Sequence, residues 1–403
     1  VLIAIYAPKA VAPLMAISAL SAIIWLTANN AWAVPGATER AAGLLMSYGA
    51  LSAFWAPTDS DSLWTAVSVA LSLACGFALI RFFDAARSGY ARYFETAIIC
   101  GGILGYAWLI VDRTSHGAIA NFLYGVLNRT LPTDAYRILF KPALTVSALY
   151  FWPWGYSVIR RIRYGACIVG ALLVGLVILD SDTFALAIAL GGIFGGIAYY
   201  WPRNGAKLLA AILISTAFFM PLIVKMIPNP TQPDNAALAP LSNSALHRLA
   251  IWHVAVEKIS EAPIFGHGFD SARMQYQSDS SRLTTFLPGV EGRTYFVISE
   301  PIPLHPHNLF LQIWLELGIV GIALLSLVLA YLVTQLNRVL ALGLNRFACF
   351  GLLGSAFAIQ SISYGAWQSW WIAALLMTCG GMAAVITPHP KSDANSTTES
   401  SGK

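Results

Sequence analysis

Runs of about 20 apolar residues recur along this chain, and they constrain its fold more than any other feature. Coiled as an α-helix, such a run matches the roughly 30 Å hydrocarbon core of a bilayer. They fall at 10–28, 40–57, 63–83, 93–112, 142–159, 164–180, 183–201, 206–227, 308–336, 346–365 and 367–387. Residues 1–8 are already apolar and read as the end of a span that begins earlier. The expectation is an all-α polytopic membrane protein with about 12 transmembrane helices. A soluble enzyme could not hide this much apolar surface: charged residues make up 11% of the chain, against roughly 25% in soluble domains. The net charge of +5 calls for no nucleic acid, because the arginines cluster in short loops between spans. The five cysteines lie singly in apolar segments, without metal-ligand spacing, and read as small packing residues.

Those loops orient the chain. Arg81, Arg87 and Arg92 flank one connection, Arg160, Arg161 and Arg163 another, Arg203 and Lys207 a third, Arg338 and Arg346 a fourth. They alternate with acidic or neutral connections at Asp59-Ser60-Asp61, 112–141 and Asp180-Ser181-Asp182. Basic loops stay in the cytoplasm, so the others face outward. The chain divides accordingly into helices over 1–227, a long outer loop over 228–306, further helices over 307–387 and a polar cytoplasmic tail over 388–403.

The outer loop is where function is expected, since connections this long are functional or disordered. Ser244 is placed to cap a helix over about 245–260, whose stripe of Leu246, Leu249, Ile251, Trp252, Val256 and Ile259 would lie on the bundle or the membrane surface. Pro263 ends that helix, and Gly266-His267-Gly268 makes a turn. Six of the seven histidines fall on the predicted outer side, five of them between 247 and 307.

Among these, Leu304-His305-Pro306-His307-Asn308-Leu309 closes the loop and opens the next span. A histidine at a helix N-terminus tends to stay neutral, as a general base requires, and the free N–H groups there attract phosphate. The plainer alternative is that His307 and Asn308 cap and anchor the span. At 100° per residue, Trp314, Gly318 and Gly321 would lie within about 40° of His307, on a face small enough for close approach by a helix or lipid. Arg248 can clamp a diphosphate with its planar fork or simply pair with a headgroup; Arg273, Arg282 and Arg293 are weaker candidates. Asp180 and Asp182 end a span at the level of His307, either as solvated loop residues or as partners for a histidine or Arg248. Asn308, Gln312 and Glu316 form an i, i+4, i+8 polar stripe suited to holding helices together. A zinc site from His305 and His307 with His267 or Glu300 has no supporting ligand spacing, and no glycine-rich nucleotide loop is present.

Arg248-Leu249-Ala250-Ile251-Trp252 leads into Pro263-Ile264-Phe265-Gly266-His267-Gly268, and His307-Asn308 is followed after nine residues by Gly318-Ile319-Val320-Gly321. This pattern, over about 244–325, resembles the O-antigen ligase family, whose wider superfamily includes O-antigen polymerases and protein O-oligosaccharyltransferases. The resemblance implies a GT-C-type architecture in a bacterial inner membrane, with the site on the periplasmic face and no metal or nucleotide cofactor. The donor would be a glycan on undecaprenyl diphosphate and the acceptor a sugar hydroxyl of lipid A–core, joined with inversion. Membrane lipids are the other expected partners. His307 would be the base and Arg248 the cation on the leaving diphosphate. Asn308, Trp252, Arg293, Asp182, Gly318 and Gly321 complete the expected substrate-binding set. One departure stands out: family members usually carry another arginine about 70 residues before Arg248, where this chain reads Leu179-Asp180-Ser181-Asp182-Thr183-Phe184. Arg113, Arg129 or Arg293 are possible substitutes for that cation. A lipid or solute transporter is the non-enzyme alternative, but it would need mid-span polar groups and an internal repeat, and the spans carry little beyond Glu316.

Overall fold

Leucine, isoleucine, alanine and phenylalanine dominate the apolar runs, and a continuous run of about 20 such residues satisfies its backbone in a bilayer by coiling into a helix. The computed structural model describes residues 7–57, 59–126, 135–177, 182–232, 236–238, 240–273, 283–286, 295–298, 304–339 and 343–386. In chain order the helices are α1 (Val11–Ala28), α2 (Ala37–Ser52), α3 (Asp59–Thr114), α4 (Ala118–Val126), α5 (Ala135–Arg161), α6 (Gly165–Val177), α7 (Asp182–Tyr200), α8 (Gly205–Met226), α9 (Asn243–Glu261), α10 (Leu309–Val339), α11 (Leu344–Ile362) and α12 (Ser369–Val385). Between α9 and α10 a two-stranded antiparallel ribbon pairs β1 (Leu283–Phe286) with β2 (Tyr295–Ile298), Leu283 opposite Ile298. Among the described residues, five helical segments are long and apolar enough to cross a membrane: Pro8–Ala28, Asp61–Thr114, Asp182–Tyr200, Gly205–Met226 and Leu309–Arg338. The protein is a helical, multi-pass membrane protein.

One predicted loop is absent. The expected spans 63–83 and 93–112 belong to a single helix, α3, of 56 residues. The basic segment between them contains no proline, and alanine, arginine and aromatic residues keep it helical once it leaves the apolar layer. Its charges are tied down: Arg81 pairs with Glu39 at 2.6 Å, and Arg87 donates to the carbonyl of Ile386 at 2.8 Å. Arg160 and Arg161 likewise share the buried carboxylate of Glu95.

Among the described residues, two large apolar cores and one small cluster are buried. In one, α7 and α11 approach until backbones touch: a Cβ at Gly191 would stand 2.7 Å from the carbonyl oxygen of Gly351, and one at Gly354 2.7 Å from that of Leu190. The other gathers around α10, with Phe310, Leu311, Ile313, Leu315 and Leu317 buried against α8, α9 and α2. The stripe on α9 is buried: Val256 and Ile259 pack into this core, while Leu246 and Leu249 form a small cluster with Leu238, so α9 lies on the bundle. Its cap is Ser242, whose hydroxyl accepts from Ala245 N–H at 3.4 Å; Ser244, the expected cap, sits in the first turn.

Candidate active site

Asn308 starts α10. Its Oδ1 accepts from the N–H groups of Phe310 and Leu311 at 3.0 and 3.1 Å, and its Nδ2 donates to the Ser361 carbonyl at 2.9 Å. Both ends of this fully buried amide are thus engaged within the protein. The helix begins at Leu309, so His307 lies outside it with left-handed backbone (φ +55°) and does not share the helical face expected for it. The turn is held from two sides: Trp252 Nε1 on α9 donates to the Pro306 carbonyl at 2.8 Å, and the His307 N–H donates to His305 Nδ1 at 3.2 Å.

The imidazole of His307 is fixed by the short connection between α11 and α12. Its Nδ1 faces the carbonyl of Ser363. A carbonyl oxygen only accepts, so Nδ1 carries the proton and neutral His307 keeps its lone pair on Nε2. His305 packs against it edge to face, ring centroids 4.3 Å apart, and turns Nε2 toward the Gln368 amide at 3.0 Å. Burial pulls the pKa of His307 down to about 4 and that of His305 to about 3; for His307 the Ser363 carbonyl resists, while the positive fields of Arg248, His247 and Lys141 add to the fall. Both rings are therefore neutral around pH 7.

Arg248, in the second turn of α9, is half-buried. Burial lowers its pKa, and the negative fields of Tyr364 and Asp182 oppose that. Among the described residues no carboxylate forms a salt bridge with it. Among the described residues that leaves an enclosed guanidinium whose planar fork suits an anion from outside. The Tyr364 hydroxyl meets Thr145 on α5 at 3.1 Å, and Thr145 donates to the Lys141 carbonyl one turn away at 2.9 Å. The positive charge of Lys141 acts on His307 from this segment. No sequence pattern marked Lys141, Ser363, Tyr364 or Gln368; the one available signal was the polar and aromatic run 363–368 between two apolar segments.

Gly318 and Gly321 are set into close backbone packing. At Gly318, α10 breaks (φ +61°, ψ −159°) and the turn after α9 docks into the gap. His267 and Gly268 N–H groups donate to the carbonyls of Leu315 and Glu316, each at 2.9 Å. The N–H groups of Ile319 and Val320 donate back to Pro263 and Ile264 at 2.9 and 3.3 Å. These bonds re-pair the groups freed by the break, as a membrane-embedded backbone demands. A Cβ at Gly318 would lie 2.3 Å from Ile264 O, and one at Gly321 2.2 Å from Leu317 Cβ, inside its own helix.

Of the expected set, the structure brings together His307, Arg248 and the field of Asp182, and it assigns Asn308, Trp252, Gly318 and Gly321 to holding the backbone around them. Arg293, Arg282, Arg129, Asp180 and Glu300 lie outside the described residues. His267 turns Nε2 to the Lys258 carbonyl at 2.9 Å, away from any shared site with His305 and His307. Among the described residues no three His, Cys, Asp or Glu side chains are grouped to hold a metal ion.

Comparison with known proteins gives a consistent picture. The family model described as O-antigen ligase matches residues 167–326. A Rickettsia bellii (strain RML369-C) protein named as a candidate polysaccharide ligase is 31% identical over 302 residues, 73% of this chain and 68% of the relative. A similarly named protein of Rickettsia prowazekii (strain Madrid E) is 30% identical over 299 residues, 73% of this chain and 69% of the relative. That of Rickettsia conorii (strain ATCC VR-613 / Malish 7) is 27% identical over 384 residues, 91% of this chain and 87% of its own length. No solved structure matches.

Proposed function

The chain belongs to the O-antigen ligase family, and from that premise we propose that it transfers a glycan from undecaprenyl diphosphate to a sugar hydroxyl of lipid A–core. The transfer takes place at the periplasmic face of a bacterial inner membrane, on a GT-C-type bundle of about 12 spans. The acceptor oxygen attacks the anomeric carbon from the face opposite the diphosphate and inverts it. His307 Nε2 takes the hydroxyl proton, and the bond to the diphosphate breaks with its electron pair passing to the leaving oxygen. Arg248 binds that anion through its fork, with Lys141 beside it.

The observation that carries this reading is the Ser363 carbonyl on His307 Nδ1, which leaves Nε2 as the base. Burial is the chief cause of the depressed pKa of His307, and the positive fields of Arg248, His247 and Lys141 add to it. A diphosphate seated on Arg248 offsets that added part, moves the pKa back up and strengthens the base when donor is bound.

The test reconstitutes purified protein in nanodiscs with an undecaprenyl-diphosphate-linked glycan and offers lipid A–core, a peptide hydroxyl or no added acceptor. Ligation to lipid A–core is expected; lengthening of the donor glycan would mark a polymerase instead. His307→Ala should lose roughly 100- to 10,000-fold in rate, the usual worth of a positioned base. Arg248→Lys should lose roughly 10- to 100-fold, because the bidentate fork is gone. Full activity in the His307 variant sinks the mechanism. A chelator added to the same assay should leave the rate unchanged.

A further inference from the structure

We propose that Glu316 is a positioning residue whose buried carboxylate ties the 363–368 connection and the turn at Asp270 to one point of α10, holding His307 in register with Arg248. This rests on the glycan-transfer reading above. Gln312 and Glu316 are 2% and 0% exposed, inside a helix whose neighbours on either side are apolar. Polar groups at such depth are retained only when something uses them.

Both oxygens of Glu316 and both ends of the Gln312 amide are engaged. Glu316 Oε1 accepts from Gln312 Nε2 at 2.9 Å, and Oε2 accepts both the indole N–H of Trp367 at 2.5 Å and the backbone N–H of Asp270 at 2.8 Å. Gln312 Oε1 in turn accepts from Ala366 N–H at 2.7 Å. Two consecutive residues of the connection, Ala366 and Trp367, are thereby fixed to α10, and Phe269 stacks on Trp367 with ring centroids 4.3 Å apart.

What that connection presents gives the network its meaning. Ser363 offers the carbonyl that sets the tautomer of His307, the Tyr364 hydroxyl meets Thr145, Gly365 packs on the ring of His305, and Gln368 meets His305 Nε2. The other arm, at Asp270, ends the turn that begins where α9, the carrier of Arg248, stops. One carboxylate therefore spans the segment bearing the base's orienting group and the segment leading from the phosphate-binding helix. The pair therefore does more than join helices: Glu316 binds the Trp367 indole and Gln312 the Ala366 backbone, both in the connection.

The hydrogen-bond inventory makes this separable from bulk stability. In Glu316→Gln, the new amide keeps Trp367 and Asp270 only by turning its NH2 onto the NH2 of Gln312, so one donor is always opposed. In the exchange Gln312→Glu with Glu316→Gln, every donor regains an acceptor. The amide oxygen now at position 316 would accept from Trp367 and Asp270, and its NH2 would donate to the carboxylate now at position 312, which still accepts from Ala366.

The experiment measures kcat, donor KM and the acid limb of the pH profile for wild type, Glu316→Gln, the exchange, Trp367→Phe and His307→Ala, all in nanodiscs. Glu316→Gln is expected to lower kcat at least tenfold with donor KM within about threefold, because Arg248 stays on its own helix; its acid limb should also move upward as the His307 pocket hydrates. The exchange should restore both. If Glu316→Gln does not accumulate, Trp367→Phe carries the test with a smaller fall in kcat, several-fold at unchanged KM. Wild-type kcat in Glu316→Gln or in Trp367→Phe, or failure of the folded exchange to recover, overturns the proposal. A dead His307→Ala beside a fully active Glu316→Gln would remove this inference alone, whereas an active His307→Ala would remove the reading beneath it.

Discussion

Gly318→Ala adds one methyl group where α10 is broken, and its cost can be worked from two sides. The backbone there has φ +61° and ψ −159°, a region that only glycine occupies without strain, worth about 1–3 kcal/mol to any other residue. The added carbon would also meet Ile264 O at 2.3 Å, Ile264 C at 2.5 Å and Gly266 N at 2.7 Å. All three are backbone atoms, so no rotamer change relieves the overlap. The alternative is to withdraw the docked turn, which forfeits the four hydrogen bonds from His267, Gly268, Ile319 and Val320, about 1 kcal/mol each before any penalty for leaving them unpaired. Whichever route is taken, the loss is about 3–5 kcal/mol. For a chain of this size that corresponds to a fall in Tm of roughly 6–20 °C, extrapolating from about 2–4 °C per kcal/mol in large domains.

Thermal unfolding in detergent, followed by intrinsic tryptophan fluorescence, measures it. Gly192→Ala and Gly196→Ala are the controls: both glycines lie within α7 with open space around the added carbon, so alanine should be neutral or stabilising by up to about 1 kcal/mol. A Gly318→Ala protein that melts within about 2 °C of those controls would refute the docking of the turn into the broken helix. Because Glu316 and Asp270 flank the same junction, transfer activity should fall with stability in this variant.

Three further outcomes follow from the electrostatics. The acid limb of kcat/KM in the free enzyme should lie well below 6.5, because His307 is held down at about 4; a limb at 6.5 would mean an ordinary exposed histidine. Stability shares that dependence: the unfolded chain protonates His305 and His307 near 6.5 while the folded chain resists to about 3 and 4. The contribution is therefore complete above 6.5 and drains away as pH falls toward 4, visible as a falling Tm. Lys141→Gln should raise donor KM several-fold and move the acid limb upward, since the Lys141 charge depresses His307; an unchanged limb would place that lysine away from the site.

Much of this architecture could be read in advance, for identifiable reasons. Apolar runs of about 20 residues report helices because in lipid such a run satisfies its backbone by coiling, and the stripe Leu246, Leu249, Ile251, Val256, Ile259 reported α9 because one face is buried. The loop expected after Arg81 was misread because charge density marks where a chain leaves the apolar layer, not where it stops being helical; without proline, α3 runs through. Lys141 and Ser363 were invisible for a different reason. Lys141 matters through its field, and Ser363 acts through a backbone carbonyl that any residue type would supply.

The spacing of nine residues between Asn308 and Gly318 acquires its meaning from the same distinction. Read as a helical wheel, it put small residues beneath His307. In the fold it is the length of a rigid peg: Asn308 fixes where the helix begins and Gly318 where it breaks. At the break the peg receives the turn that follows the Arg248 helix, and at its head it carries the base. Between them Gln312 and Glu316 hold the connection that orients His307. Inserting or deleting a residue in 309–317 would rotate Gln312 or Glu316 by about 100° away from its partners, whereas a conservative change at an outward-facing position would not. The spacing is thus a length constraint imposed by three separate segments docking on about two and a half turns of helix. A cap, a polar pair and a glycine are thereby set in one register, while the apolar residues between them fill the core around α10.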